Sequence, residues 1–236
     1  MDVIDRSGVQ LPLGFAPQEA VTFATYLPGP NGYVVRFLQR LCDGIEKGSV
    51  YLWGRRDTGK THLLQATCQQ VAEHGGRSVY LPLSQIARLS TGVLEDLEEL
   101  DVICVDDVDK IAGHSNWEQA LFHLYNRLRE CSKPMVVTGR TSPRALGLQL
   151  IDLTTRLGWG LVFQLKALAD DEKVRALQQR AVARGFELPV DVGDFLLRRC
   201  PRDMGALFDL LNQLDEASLA AQRRLTVPFV KTLLDI

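Results

Sequence analysis

The sequence predicts an α/β fold, in which a parallel five-stranded sheet carries helices on both faces, followed by a smaller domain of helices only. Three observations predict it. Short apolar runs alternate with amphipathic helical patterns as far as residue 165. A glycine-containing turn joins the first apolar run to the next helical pattern. From residue 170 onward only helical periods remain, with breaks at glycine and proline.

Each predicted strand is a short apolar run bounded by polar or turn residues. The runs are residues 50–53, 78–83, 102–105, 135–138 and 161–165. The helical patterns that separate them cover about 32–47, 61–72, 92–99, 115–131 and 150–156. Asn31 is a candidate N-cap for the first of these helices. Four further helices follow at about 170–184, 190–199, 203–222 and 227–235.

Composition divides the chain into three parts. Residues 1–20 contain Gly8, Pro12, Gly14 and Pro17 without a helical period, which indicates a flexible arm. Residues 21–165 form the predicted α/β domain, and residues 166–236 form the predicted helical domain. Each of the two larger parts is long enough to bury a core of its own.

Bulk properties exclude several classes of protein. The formal net charge of −2 does not favour direct sequence-specific DNA binding, since proteins held by their own charge on nucleic acid are usually basic. No apolar run is long enough to span a membrane, and the first residues lack the pattern of a signal peptide. The five cysteines are widely spaced, so we expect reduced, mostly buried thiols in a cytoplasmic protein.

Residues 54–61 carry the strongest chemical signal in the chain. They fit the pattern G-x-x-x-x-G-K-[ST] between a predicted strand and a predicted helix. In such a loop the backbone N–H groups cradle phosphates, the lysine reaches the β- and γ-phosphates, and the hydroxyl ligates Mg²⁺. The predicted nucleotide-binding residues are therefore Gly54, Arg55, Arg56, Asp57, Thr58, Gly59, Lys60 and Thr61. The alternative is a glycine-containing turn that binds no ligand.

Two acids follow the third predicted strand. Asp106 and Asp107 end an apolar run, as expected where a buried parallel strand delivers carboxylates to a phosphate site. We expect Asp106 to hold Mg²⁺ together with Thr61, and Asp107 to orient the attacking water. The alternative is a strand end with solvated acids.

Other segments have two open interpretations. The segment containing Phe23, Tyr26 and Leu27 lines a pocket for the nucleotide base or only packs, and His62 flanks the phosphate loop. A basic cluster that includes Arg202 contacts phosphate or forms a solvated face. Residues 10–15 present apolar side chains on an extended, proline-containing chain, which suits a groove of a partner or the protein's own core.

Taken together, these motifs resemble the AAA+ ATPase family, and more closely its DnaA-related branch. The resemblance covers nearly the whole chain. It is carried by residues 10–15, 22–31, 51–61, 106–107, 117–127, 156–160, 184–189 and 225–231. It implies an AAA+ P-loop domain with a C-terminal all-α lid, binding ADP or ATP with Mg²⁺.

The resemblance also implies partners and roles. Gln10, Leu11, Leu13 and Phe15 match a motif that binds the sliding clamp, the β subunit of DNA polymerase III. Arg156 matches an arginine finger that acts in trans on a neighbouring nucleotide. The implied function is to stimulate hydrolysis of DnaA-bound ATP, and so to regulate replication initiation negatively. The expected setting is the bacterial cytoplasm, with nucleoid association through the clamp and nucleotide-dependent homo-oligomers.

The sequence departs from the family pattern at two sensor positions. Arg140 stands where an acidic residue is usual, and Gly205 stands where the lid normally supplies an arginine. Arg202 is a candidate substitute from one turn earlier. These changes predict firm nucleotide binding, ADP as the working ligand and weak intrinsic hydrolysis. A chain that ends after the lid also predicts no origin-binding domain. The alternative function is a self-acting AAA+ ATPase such as a replicative helicase loader.

Overall fold

A computed structural model of the protein describes residues 21–221 and 223–235. Its sheet confirms the predicted architecture. The strands are β1 (Ser49–Trp53), β2 (Ser78–Pro82), β3 (Val102–Asp106), β4 (Met135–Gly139) and β5 (Leu161–Gln164). They lie in the order β2-β3-β4-β1-β5, and every neighbouring pair is parallel. Because all strands point the same way, the loops that follow them meet at one edge of the sheet.

Within the described residues, four α-helices accompany the sheet: α1 (Gly32–Cys42), α2 (Lys60–Glu73), α3 (Ser115–Glu130) and α4 (Ile151–Leu157). Alternate residues of the central strands belong to different cores, since successive side chains point to opposite faces. Tyr51 and Ile103 pack with the apolar side of α3 and α4. Leu52 and Cys104 pack with α1 and α2 on the other face. The phosphate loop and α4 are therefore attached to a sheet that is covered on both sides.

The C-terminal helices form a third core of their own. They are α5 (Asp170–Ala183), α6 (Val190–Arg199), α7 (Met204–Ala221) and α8 (Val227–Leu234). Leucines with a helical spacing, among them Leu177, Leu207 and Leu211, are fully buried there. Leu27 and Leu168 pack against the same cluster, so the segment before α1 contacts this helical unit.

Two predicted helices differ from the structure. The first ends at Cys42 instead of continuing to residue 47, and Ile45 is 57% exposed. Gly44 has φ +72°, a left-handed conformation in which the helix cannot continue. The predicted helix at 92–99 is instead two 3₁₀ turns, Thr91–Leu94 and Leu97–Glu99, separated by Asp96 at φ +56°. The apolar spacing in this stretch serves packing against α3 and not a continuous helix.

The prediction for the cysteines was only partly right. All five are free thiols, but Cys104 alone is buried, Cys131 is exposed, and the others are half-buried. Within residues 21–221 and 223–235, no helix is both long enough and apolar enough to cross a membrane.

Candidate functional site

The phosphate loop lies at the carboxyl edge of the sheet, between the end of β1 and the start of α2. Two of its residues need left-handed backbone: Gly59 at φ +83° and, unusually for a residue with a side chain, Asp57 at φ +61°. Gly54 leaves no room for a side chain, because a Cβ there would lie 2.7 Å from the carbonyl oxygen of Leu165. The loop is followed by the 14-residue helix α2, whose N-terminus favours a bound anion.

Lys60 lies inside the curve of this loop. Its Nζ donates hydrogen bonds of 2.9 Å to the carbonyl oxygens of Gly54 and Arg55. The side chain is 8% exposed, and burial lowers the pKa of its ammonium group despite the opposing effect of nearby carboxylates. A phosphate group bound in the loop would lie next to this ammonium group. Its oxygens could then replace the two carbonyl oxygens as acceptors of the Lys60 hydrogen bonds.

Thr61 and Asp106 are brought into direct contact. The Thr61 hydroxyl donates a hydrogen bond of 2.7 Å to Oδ2 of Asp106, and Asp106 is 2% exposed. The Tyr80 hydroxyl donates to the same oxygen at 2.8 Å, and the Thr138 hydroxyl donates to Oδ1. Hydroxyl and carboxylate oxygens are the ligands that Mg²⁺ prefers, so this pair fits the metal that the sequence implies.

Sequence reasoning missed Tyr80 and Thr138, which hold the Asp106 carboxylate in place. Thr138 lies near the carboxyl end of the buried strand β4, whereas Tyr80 is the middle residue of the half-buried strand β2. For Thr138 the available signal was a polar residue near the carboxyl end of a buried parallel strand. The buried phenol beside Asp106 has a raised pKa, because burial and the neighbouring negative charge both favour its neutral form.

Asp107 has a different environment from Asp106. It adopts a left-handed conformation at φ +57°, and its backbone N–H donates to the Thr138 hydroxyl at 3.0 Å. Burial, together with the charges of Asp106 and Asp109, raises the pKa of its carboxyl group. A carboxylate with a raised pKa is a better proton acceptor, but its action on an attacking water remains a prediction.

A narrow cleft of about 90 Å³ lies beside the loop, between the segment before α1 and the C-terminal helices. Tyr26, Leu27 and His62 line it, and their contact with a nucleotide base stays a prediction. The Tyr26 hydroxyl donates to the Thr58 carbonyl oxygen at 3.2 Å, and its ring centroid lies 5.4 Å from that of His62. Phe23 is not among the lining residues; it is 8% exposed and belongs to the core formed with α1 and α2.

His62 is fixed by the chain that precedes α1. Its Nε2 lies 2.8 Å from the carbonyl oxygen of Thr22, and since a carbonyl only accepts, Nε2 carries the proton. Burial lowers the pKa of this imidazole, so the neutral form dominates near pH 7.

The C-terminal helices face the loop through the start of α7. A Cβ at Gly205 would lie 3.5 Å from Oδ1 of Asp57, so this position borders the phosphate loop directly. Arg202 is engaged elsewhere: its Nε donates to the Leu197 carbonyl oxygen at 3.1 Å, and Nη1 lies 3.3 Å from Asp170. Its predicted contact with nucleotide therefore requires this ion pair to break.

Arg140 is exposed, and its backbone N–H donates to Asp109 at 3.1 Å.

Arg156 lies near the opposite edge of the sheet from the phosphate loop. It is in the last turn of α4, from which the chain runs through Gly160 to the amino end of β5. Gly160 lies against Ser49, at the amino end of β1. The structure therefore keeps Arg156 apart from the loop of its own chain.

The predicted clamp-binding residues cannot be placed in this way. Gln10, Leu11, Leu13 and Phe15 lie outside the described residues. Among residues 21–221 and 223–235, no group of three His, Cys, Asp or Glu residues is arranged to hold a metal ion by itself. A cation at Thr61 and Asp106 would thus take its remaining ligands from phosphate and water, as Mg²⁺ usually does.

Comparison with known proteins identifies the family. Residues 18–164, more than half of the chain, match the model of the bacterial DnaA ATPase domain. The chain belongs to the bacterial DnaA ATPase family. Residues 170–234 of this DnaA-family chain match a second model, described as the Hda lid domain.

Solved structures agree with this fold. Domain III of the replication initiation protein DnaA from Thermotoga maritima matches with a TM-score of 0.80 and 21% identity, over 94% of this chain and 98% of that one. AMPPCP-bound DnaA from Aquifex aeolicus matches at 0.72 and 19% identity, over 84% and 66% of the two chains. The Holliday-junction branch migration motor RuvB from Thermotoga maritima matches at 0.64 and 14% identity, over 87% and 67%.

Proposed function

We propose that this DnaA-family chain is a regulatory inactivator of DnaA. Carrying nucleotide, in our proposal ADP, it binds the sliding clamp and stimulates hydrolysis of DnaA-bound ATP in trans, so that replication initiation is repressed. The observation that carries the proposal is the position of Arg156, a guanidinium near the opposite edge of the sheet from its own phosphate loop. A cation placed there serves a neighbouring molecule and not its own nucleotide.

Nucleotide binding is supported by the cradle that residues 54–61 form. Lys60 would bind the β-phosphate, and α2 would direct its N-terminal N–H groups at the same anion. Thr61 and Asp106 would hold Mg²⁺, which neutralises phosphate charge when it is bound. AMPPCP, an ATP analogue, is bound by the Aquifex aeolicus relative.

The preference for ADP is supported by the residues of the C-terminal helices that lie near the phosphate loop. Gly205 supplies no charge beside Asp57, and Arg202 is paired with Asp170. A third phosphate would therefore gain no cation from this side. In the proposal, ADP acts as a structural ligand that fixes the two parts of the chain, and hydrolysis takes place on the partner.

The decisive experiment measures hydrolysis of DnaA-bound ATP in the presence of DNA-loaded sliding clamp. The wild-type chain with ADP should accelerate hydrolysis. Arg156→Ala should lower the maximal rate by about 10³-fold, the range in which arginine fingers act. A variant with both Gln10→Ala and Leu11→Ala should lose clamp binding in a pull-down and, with it, most of the stimulation.

The outcomes separate this proposal from the self-acting alternative. If wild-type chain does not bind clamp, or Arg156→Ala stimulates fully, the proposed function fails. ATP hydrolysis by the purified chain at rates typical of motor ATPases, without DnaA, supports the helicase-loader type of function instead. Lys60→Ala tests the nucleotide site independently, because it should abolish ADP binding. The control Arg36→Ala removes an exposed cation of α1 and should preserve ADP binding.

A further inference from the structure

The indole ring of Trp159 is in contact with the guanidinium groups of two arginines. The guanidinium carbon of Arg156 lies 4.0 Å from its ring centroid, and that of Arg129, from the end of α3, lies 4.8 Å away. Phe122 adds a second aromatic ring 5.8 Å from the Arg156 guanidinium. The indole is 54% exposed, so this cluster lies at the surface. Two like charges therefore share one aromatic ring.

Neither arginine has a compensating acid. Within the part of the chain that the structure describes, no carboxylate lies within 4.0 Å of Arg129 or Arg156, although other arginines, such as Arg127 and Arg175, form ion pairs. The Nη1 atom of Arg156 is buried without a hydrogen-bond partner. Uncompensated cations cost stability unless an anion joins them, so this arrangement is suited to an anionic ligand.

The stacking geometry leaves the right donors free. An aromatic ring occupies the face of a guanidinium, while the N–H donors project from its edge. Oxyanions bind that edge with two parallel hydrogen bonds. Trp159 therefore restricts the Arg156 side chain without using up the groups that bind phosphate, and it lowers the conformational entropy that binding would otherwise cost.

The neighbouring groove supports an anionic partner as well. A cavity of about 660 Å³ opens beside Trp159 at the amino edge of the sheet, and Lys47, Arg129 and Lys133 line it. Lys133 is paired with Asp101 at 3.3 Å, whereas Arg129 is not paired with an acid. Base stacking on the indole, as in single-stranded nucleic acid binding, would compete with the two arginines that already lie over the ring.

We infer that Trp159 is a positioning residue for Arg156, and that Arg129 is a second phosphate-binding residue on the same surface. The ligand class is the polyphosphate of a nucleotide held by a neighbouring molecule. Because the inference identifies the surface through which Arg156 acts in trans, it rests on the proposed function. Its own content concerns Trp159 and Arg129, which can be tested separately from Arg156.

The activity test uses stimulation of DnaA-bound ATP hydrolysis by the full chain with loaded clamp. Trp159→Leu should lower the maximal rate about tenfold, with a much smaller change in the half-saturating concentration, because orientation and not affinity is lost. Trp159→Phe retains an aromatic face and should restore most of the rate. Arg129→Ala should raise the half-saturating concentration about tenfold, as expected for one hydrogen bond to a charged group.

Matched variants separate this role from general folding. Arg36→Ala removes an exposed cation of α1 that does not line this groove, and it should leave both parameters unchanged. Tyr33→Leu removes a similarly exposed aromatic residue from α1, and it should also have no effect. If Trp159→Leu behaves like Tyr33→Leu while Arg156→Ala is inactive, the inference fails and the proposed function stands. If Arg156→Ala itself is fully active, the proposed function fails first.

A second readout needs no DnaA. In NMR spectra of ADP-saturated protein, protons of the Arg156 side chain should show an upfield ring-current shift that Trp159→Leu abolishes. Tripolyphosphate, added while ADP occupies the phosphate loop, should move the Nε–H signals of Arg156 and Arg129 together. Signals that stay unchanged, or that move equally in the Trp159→Leu variant, would overturn the inference.

Discussion

Asn31 and Lys166 are joined by two hydrogen bonds although 135 residues separate them. The Asn31 Nδ2 donates to the Lys166 carbonyl oxygen at 2.9 Å, and the Lys166 N–H donates to Oδ1 at 2.8 Å. Nδ2 also lies 3.3 Å from the Tyr26 hydroxyl, which accepts a second hydrogen bond. Asn31 therefore connects the cleft beside the phosphate loop to the chain that leaves β5 for the C-terminal helices.

We expect Asn31→Ala to lower the free energy of unfolding by about 1–3 kcal/mol, since it leaves two backbone groups of Lys166 without their partner. Urea unfolding measures the change. Asn116→Ala is the control, because Asn116 is exposed and accepts only from the adjacent Trp117 N–H. Equal stability of Asn31→Ala and wild type would contradict the connecting role.

Glu118 is fully buried, and its carboxylate accepts hydrogen bonds from the N–H groups of Gly113 at 2.8 Å and Leu150 at 2.7 Å. Leu150 immediately precedes α4, the helix that carries Arg156. We expect Glu118→Ala to cost about 2–4 kcal/mol, because the two N–H groups lose their acceptor and the buried side chain leaves a cavity. Thermal unfolding tests this, with the exposed Glu130→Ala on the same helix as the control. A loss no larger than that of the control would show that other contacts hold this loop.

Gly205 offers room for the cation that the family pattern places there. A Cβ at this position meets Oδ1 of Asp57 at 3.5 Å, an ordinary contact distance. Gly205→Arg should therefore fold and should shift nucleotide preference toward ATP by about tenfold, since the guanidinium adds a charge-assisted hydrogen bond to a third phosphate. Equilibrium binding of fluorescent ADP and ATP measures the ratio. Gly205→Ala adds the Cβ without the charge and should leave the ratio unchanged; an unchanged ratio in both variants would refute the explanation for ADP preference.

Ionisation of the Tyr26 phenol should lower the stability of the protein at alkaline pH. Burial raises the pKa of its phenol to about 12, from an ordinary value of 10.0. The folded state thus favours the neutral phenol, so the associated stability is fully present below about pH 10 and is lost as the pH rises toward 12. Between pH 9 and pH 11 the expected loss is about 1 kcal/mol.

Urea unfolding at the two pH values isolates this effect. Tyr26→Phe cannot ionise, so its stability should fall less than that of the wild type by about 1 kcal/mol. Identical pH slopes for Tyr26→Phe and wild type would mean that other groups account for the alkaline loss.

Much of the core site was predictable because its chemistry is local in the chain. Residues 54–61 are continuous, and Asp106 follows a buried strand whose apolar run is unambiguous. The parallel order of the strands then brings Thr61 and Asp106 together at the same edge. Asn31 was predicted as a helix cap, but its side chain makes no capping hydrogen bond and contacts Lys166 instead. A long-range acceptor overrode the local preference there.

The sequence alone determined the α/β fold, the helical C-terminal unit and the phosphate loop, because hydrophobic period and glycine spacing act over a few residues. Only the tertiary structure decided which side chains meet across the fold. Tyr80 and Thr138 come from two different strands to hold Asp106, and Arg129 comes from α3 to the ring of Trp159, which follows α4. Such contacts depend on distances between elements that are far apart in the chain, and no local pattern encodes those distances.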